Sequence, residues 1–269
     1  MMIDHHTHTV LCGHAEGRPK EYVAAAKRAG LAGVGIADHF PWPAGYDEKH
    51  RMKPEKFGTY TEMVEEAREA GRELGLVVRY AVEADWVPGR MDEVFAVLDS
   101  EDFDYVIGSI HFVDDLPFDH PGHKAVWFAE GRPVFIWRRY YELMFDMVSS
   151  GRFDVIGHFD LPKKFGTRPP AEAGTGPLVD AVIAAAADLG VAAEINTSGL
   201  RKPVGEMYPT LEILRKMASA GMKIVLGSDA HAPDEVGANF ENALDLAKEA
   251  GFRGVHAFAS GKAKRVISF

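Results

Sequence analysis

Near the start of the chain, Asp4-His5-His6-Thr7-His8 places two imidazoles, His6 and His8, two residues apart. In an extended backbone such residues point to one side, so both rings can reach one metal ion. Similar groups recur along the sequence, most of them just beyond a short apolar run: His14, Asp38-His39, Glu83, His111, His158, and Asp229 with His231. Imidazoles and carboxylates are costly to gather away from water unless a cation compensates them. The chemistry expected is therefore that of a metal centre built from His6, His8, His14, His39, Glu83, His111, His158, Asp229 and His231. The remaining five of the twelve histidines, His5, His50, His120, His123 and His256, read as core or loop residues, with His120 and His123 candidates for lining a pocket. Cys12 reads as a small buried loop residue, with soft metal ligation as the alternative.

The elements that must position these groups alternate along the chain. Apolar, β-branched runs predict strands at 2–6, 33–37, 77–82, 105–110, 154–157, 192–195 and 224–227. Amphipathic segments predict helices at 20–29, 60–74, 134–150, 178–189, 209–220 and 235–250. A βα unit repeated about seven times implies an α/β fold with a parallel sheet and helices outside it. No Gly-rich nucleotide fingerprint follows the first strand, so a closed barrel is expected over an open sheet. In a parallel barrel the strand ends converge on one face, which would gather the histidines and acids at a common rim. Segments 40–54 and 113–133 break the rhythm and read as pocket walls; the whole chain, 1–269, reads as a single domain.

With 269 residues, 46% apolar and 26% charged, the chain has material for a sizeable core. A formal net charge of −10 argues against a nucleic-acid partner, which calls for a concentrated basic face. No run approaches the ~18 apolar residues of a membrane span, and no basic-then-apolar leader opens the sequence. A cytoplasmic location and no membrane partner are expected; the single cysteine fits a reducing compartment, and the oligomeric state stays open.

Taken together, the nine residues resemble the ligand pattern of the polymerase and histidinol phosphatase family, an N-terminal HxH followed by scattered His and Glu and a late Asp-x-His. The segments LCGHAEG, IADHFP, GHFDLPKKFG, EINTSGLRKPVGEMYP and GSDAH are similar to those of its short histidinol phosphatases, and the resemblance runs from about residue 2 to about residue 261. It implies a distorted (β/α)7 barrel and three adjacent divalent metal ions. His6, His8, Glu83 and Asp229 would hold one ion; Glu83, His111 and His158 a second; His14, His39 and His231 a third. Mixed nitrogen and oxygen ligation suits Zn, Mn or Fe. Asp38 would orient a ligand ring from behind. The implied activity is hydrolysis of L-histidinol phosphate, a small-molecule phosphate monoester.

Three divalent ions against two ligand carboxylates would leave the pocket cationic inside an acidic protein. A water activated between two of the ions is the expected nucleophile, since no GxSxG elbow or P-loop competes. Arg201, in SGLRKP, and Lys163, in DLPKKF, are the candidates for the remaining phosphate oxygens. Asp114, Asp115, Asp119, Trp42 and Phe112 are candidates for the wall that meets an ammonium and an imidazole. Two other readings stand beside this one. A phosphodiesterase or exonuclease could use the same ligands, and a metal-binding protein without catalysis would close its coordination shells.

Overall fold

Along the third strand, Ala81, Glu83 and Asp85 face one way while Tyr80, Val82 and Ala84 face the other, and all six are buried. A strand buried on both faces belongs inside a parallel sheet with helices over it. In the computed structural model, which describes residues 2–258 and 264–268, seven such strands lie side by side in sequence order. They are β1 (Ile3–Thr7), β2 (Gly33–Ile36), β3 (Val77–Asp85), β4 (Tyr105–Ser109), β5 (Val155–Ile156), β6 (Ala192–Asn196) and β7 (Lys223–Gly227), each parallel to the next. At the upper end, where the strands run out, β1 meets the extension of β7. The Thr7–Ala230 bridge forms there, with His8 N donating to Ala230 O at 2.9 Å. The result is the expected distorted (β/α)7 barrel.

Helices α1 (Pro19–Arg28), α2 (Phe57–Leu74), α3 (Met91–Leu98), α4 (Arg132–Ser149), α5 (Thr175–Leu189), α6 (Leu211–Ser219) and α7 (Phe240–Ala250) follow the seven strands in turn. Their starts have local causes. Pro19 opens α1, where its missing N–H costs nothing, and Glu21 accepts from Arg18 N at 2.6 Å. One apolar layer fills the space between helices and barrel, with Val34, Val82, Val106, Ile195 and Leu226 facing residues such as Trp137, Tyr140 and Leu214. A second, smaller one fills the lower barrel interior: Ala81, Tyr105, Ile107, Val155, Ala192, Val225 and Phe258.

Four features depart from the sequence expectation. Helix α3 was not expected, because eight residues are too few to show a clear helical period. Strand β3 runs on to Asp85, so Glu83 lies within the strand rather than after it. Helix α7 begins at Phe240 because Asn239 adopts a left-handed conformation, φ 62°. Beyond it, β8 (Gly254–Phe258) and β9 (Lys264–Ser268) form an antiparallel pair that brings Phe258 against Tyr105, ring centroids 4.6 Å apart, under the barrel. Gly261, the far limit of the family resemblance, lies outside the described residues, as do both terminal residues of the expected 1–269 domain. Among the described residues no helix is long and apolar enough to cross a membrane.

Candidate metal centre

The register of β1 with β2 shifts between Asp4 and Thr7, a bulge that re-aims the strand. His5 turns into the lower interior, edge-on to Tyr105 and Phe258, while His6 and His8 reach the upper rim. There all nine expected positions come together. His158 Nε2 lies 3.0 Å and His111 Nε2 3.7 Å from Glu83 Oε1, and the other oxygen, Oε2, lies 3.5 Å from His6 Nε2 and 2.8 Å from His39 Nδ1. His8 Nε2 is 3.1 Å from Asp229 Oδ1 and His14 Nε2 is 3.0 Å from His231 Nε2.

Hydrogen-bond logic shows what these groups want between them. His6 Nδ1 donates to Glu194 Oε2 at 2.8 Å, which leaves Nε2 of the neutral ring to offer a lone pair to a cation, and His8 Nε2 lies 3.1 Å away. His14 Nδ1 and His231 Nδ1 both donate to carbonyls, of Cys12 and Asp229, so their Nε2 lone pairs face each other at 3.0 Å. Two lone pairs at that separation repel unless a cation lies between them, and about that spacing suits two ligands bonded to one ion at ~2.0–2.1 Å. Glu83 Oε2, fully buried, has no hydrogen-bond donor. Burial works against the charged form of His6, yet Glu194, Glu83 and Asp229 outweigh it and hold its pKa well above the usual value. That field is a demand for positive charge. The donor set fits divalent cations.

Several residues that set this geometry were not anticipated. Glu194, on the inner face of β6, accepts from His6 and, through Oε1, from His158 N and Asn196 Nδ2, both at 2.7 Å. A Cβ at Gly227 would stand 2.5 Å from that carboxylate and 2.9 Å from His6 Cβ, so glycine is required there. Asn196 and Ser198 donate to Asp229 Oδ2 at 3.3 and 3.0 Å, freeing Oδ1 for the rim. Asp229 itself holds φ 50°, a conformation costly for a residue with a side chain and typical of functional sites. Asp85 accepts from His111 Nδ1 at 2.7 Å, and Arg51, buried, lies against both. Glu194 and Asp85 carried a weak signal, an acid inside an apolar strand. Arg51 carried none.

Asp38 sits behind the rim: Oδ1 accepts from His39 N at 2.9 Å and lies 3.4 Å from His8 Nδ1, while Oδ2 accepts from Thr9 Oγ1. Arg201 is clamped by Glu235, with Nε 2.8 Å from Oε1, and by the carbonyls of Ser228 and Asp229; its Nη1 is buried without a partner. Lys163 departs from expectation. It is 1% exposed, and Nζ meets Met207 O at 2.6 Å, Asp160 at 3.0 Å and Glu206 at 3.1 Å, so an ammonium with three N–H bonds has none left for a phosphate oxygen.

Among the expected wall residues, Asp114 pairs with Arg139 at the surface and Asp115 is exposed. Trp42 packs on Phe40 and Phe57, and Phe112 on Tyr46. Asp119 faces the ligand rings: burial opposes its charge, but Lys164, 2.9 Å away, with His111 and His158, pulls its pKa down to about 2. Cys12 is fully buried, donates to Thr9 O, and lies close enough to His14 and His231 to form a three-residue ligand group.

Residues 4–198 match the model of the PHP domain. The chain belongs to the PHP family. Seven of the nine rim residues fall inside the match, with Asp229 and His231 beyond it. Among PHP relatives, a Deinococcus radiodurans protein named "Probable histidinol-phosphatase" is 43% identical, with 94% of this chain and 95% of that protein covered. The Bacillus subtilis "Histidinol-phosphatase" is 26% identical, with 90% and 98% covered. The PHP fold is also that of a histidinol phosphate phosphatase from Lactococcus lactis, solved with zinc, L-histidinol and phosphate. That structure has a TM-score of 0.79 and 21% identity, with 98% of each chain covered.

Proposed function

We propose that this PHP protein is a metal-dependent phosphoric monoester hydrolase that cleaves L-histidinol phosphate to L-histidinol and phosphate. The observation that carries the metal dependence is the facing Nε2 lone pairs of His14 and His231, beside the close approach of His6 Nε2 to His8 Nε2 and the buried oxygen of Glu83 without a donor. The substrate follows from the histidinol-phosphatase names of relatives aligned over nearly the whole chain. In our reading three ions, Zn, Mn or Fe, are held as the resemblance implies: His6, His8, Glu83 and Asp229; Glu83, His111 and His158; His14, His39 and His231. Such ions supply Lewis-acid stabilisation of phosphoryl oxygens and activate water for attack.

The chain's own residues do the rest. Glu194 fixes the His6 tautomer, and Asp38 orients His8 from behind. Asn196 and Ser198 hold one oxygen of Asp229 so that the other faces the rim. Arg201, with Nε and Nη2 engaged, presents the two N–H bonds of Nη1 to a phosphate oxygen in a fixed direction. Lys163 acts at one remove, holding the Met207 carbonyl and the segment after β6 in place. Asp119 is the carboxylate best placed for the substrate ammonium. We place the enzyme in the cytoplasm, as a single domain.

The test is phosphate release from histidinol phosphate beside a simple phosphodiester. Activity on the monoester should vanish with a chelator, return with Mn or Zn, and be absent in His8→Ala. Retained turnover in that variant, or faster cleavage of the diester, would overturn the proposal.

A further inference from the structure

Arg51 comes from the loop between β2 and α2, is 4% exposed, and reaches three strand ends at once. Its Nη2 lies 2.6 Å from Asp85 Oδ2 and 3.1 Å from His111 Nδ1, and its Nη1 lies 2.7 Å from His39 Nδ1. Asp85 completes the set, because its Oδ1 accepts from His111 Nδ1 at 2.7 Å. His39, Asp85 and His111 converge as closely as the residues of a metal site. The guanidinium already fills that position. The cation of this triad is supplied by the chain itself.

A buried arginine beside a cationic centre is costly unless its geometry is used. Here both Nη atoms are committed to groups behind the rim, which leaves no surface for a substrate. A planar fork can span two rings and a carboxylate at fixed angles, whereas a lysine offers one point charge. We infer that Arg51, by pinning Asp85, is a positioning residue that holds the carboxylate accepting from His111 Nδ1, fixes that ring, and thereby governs how firmly the ion of His111 is retained. The inference rests on the proposed ligand map, in which His111 holds an ion through Nε2.

The experiment uses the full chain loaded with Mn or Zn, and reads the metal-to-protein ratio and the time course of release to a chelator. Loss of a partner behind a ligand ring costs about 10- to 100-fold in metal affinity. Arg51→Met and Arg51→Lys should therefore release the ion that His111→Ala fails to hold about 10- to 100-fold faster than wild type. The ion at His6, His8 and Asp229 should stay. Asp85→Asn should shift release the same way, and it tests the same contact if Arg51→Met does not fold. A His111→Ala variant that keeps its full metal content would overturn the ligand map, and the Arg51 assignment with it. With the map intact, wild-type release from Arg51→Met, or from Asp85→Asn where that variant stands in, would overturn the assignment alone, including when activity falls.

Discussion

The lower and upper parts of the barrel interior are lined by the same strands and differ in almost everything else. On β3, Ala81 joins an apolar plug with Tyr105, Ile107 and Phe258, while Glu83, two residues on, is a buried carboxylate among imidazoles. The contrast is sharpest between neighbours on β1. His5, enclosed by Tyr105 and Phe258, has its pKa lowered to about 4 by burial, whereas His6, equally buried, has its pKa raised by three carboxylates. Burial alone keeps an imidazole neutral; burial among acids calls for positive charge. One end of the barrel stabilises, and the other spends that stability on chemistry.

Substitutions can break this division. Glu83→Gln should cause the largest change, cutting phosphate release by about 10³-fold or more, the equivalent of several kcal/mol of Lewis-acid stabilisation. Phe258→Ala, at the other end, should lower stability by about 3–5 kcal/mol, read as a drop in melting temperature, with turnover per folded molecule unchanged. A matched pair of glycines sharpens the comparison. A Cβ at Gly35 would lie 1.8 Å from Tyr105 Oη and one at Gly227 2.5 Å from Glu194, so each alanine variant should lose about 1–3 kcal/mol in denaturant unfolding. Only Gly227→Ala should also weaken metal binding in a competition titration. Glu194→Gln should produce the smallest change, a metal affinity weaker by about tenfold or more in the same titration, with the melting temperature of metal-free protein hardly moved. If Phe258→Ala or Gly35→Ala weakened metal binding as much as Glu194→Gln, the two ends would not be separable.

The barrel and its rim were legible because their signals repeat. Seven apolar runs at similar spacing fix the parallel sheet, and groups such as His39, His111, His158 and Asp229 each follow a run, so one geometric rule gathers them. The residues that hold those groups from behind follow no such rule. Glu194 sits inside AAEIN, where a single acid among apolar neighbours gives no hint of the β1 histidine it faces, 188 residues away. Arg51 belongs to an irregular loop rich in Pro and Gly, and its partners Asp85 and His111 are adjacent only in three dimensions. Lys163 shows the reverse error: a basic residue in a promising segment, drawn inward by Asp160 and Glu206. The bulge in β1 was equally hidden, because a shift of register depends on the partner strand.

The seam of the barrel has a temporal consequence. Its closing bridge, Thr7 to Ala230, is flanked by His6 and His8 on one side and Asp229 and His231 on the other, and His8 meets Asp229 across 221 positions of chain. During synthesis the first histidines leave the ribosome long before their late partners exist. Full ion capture must therefore wait until the chain has emerged past His231, which makes joining β1 to the extension of β7 and completing the cluster one event.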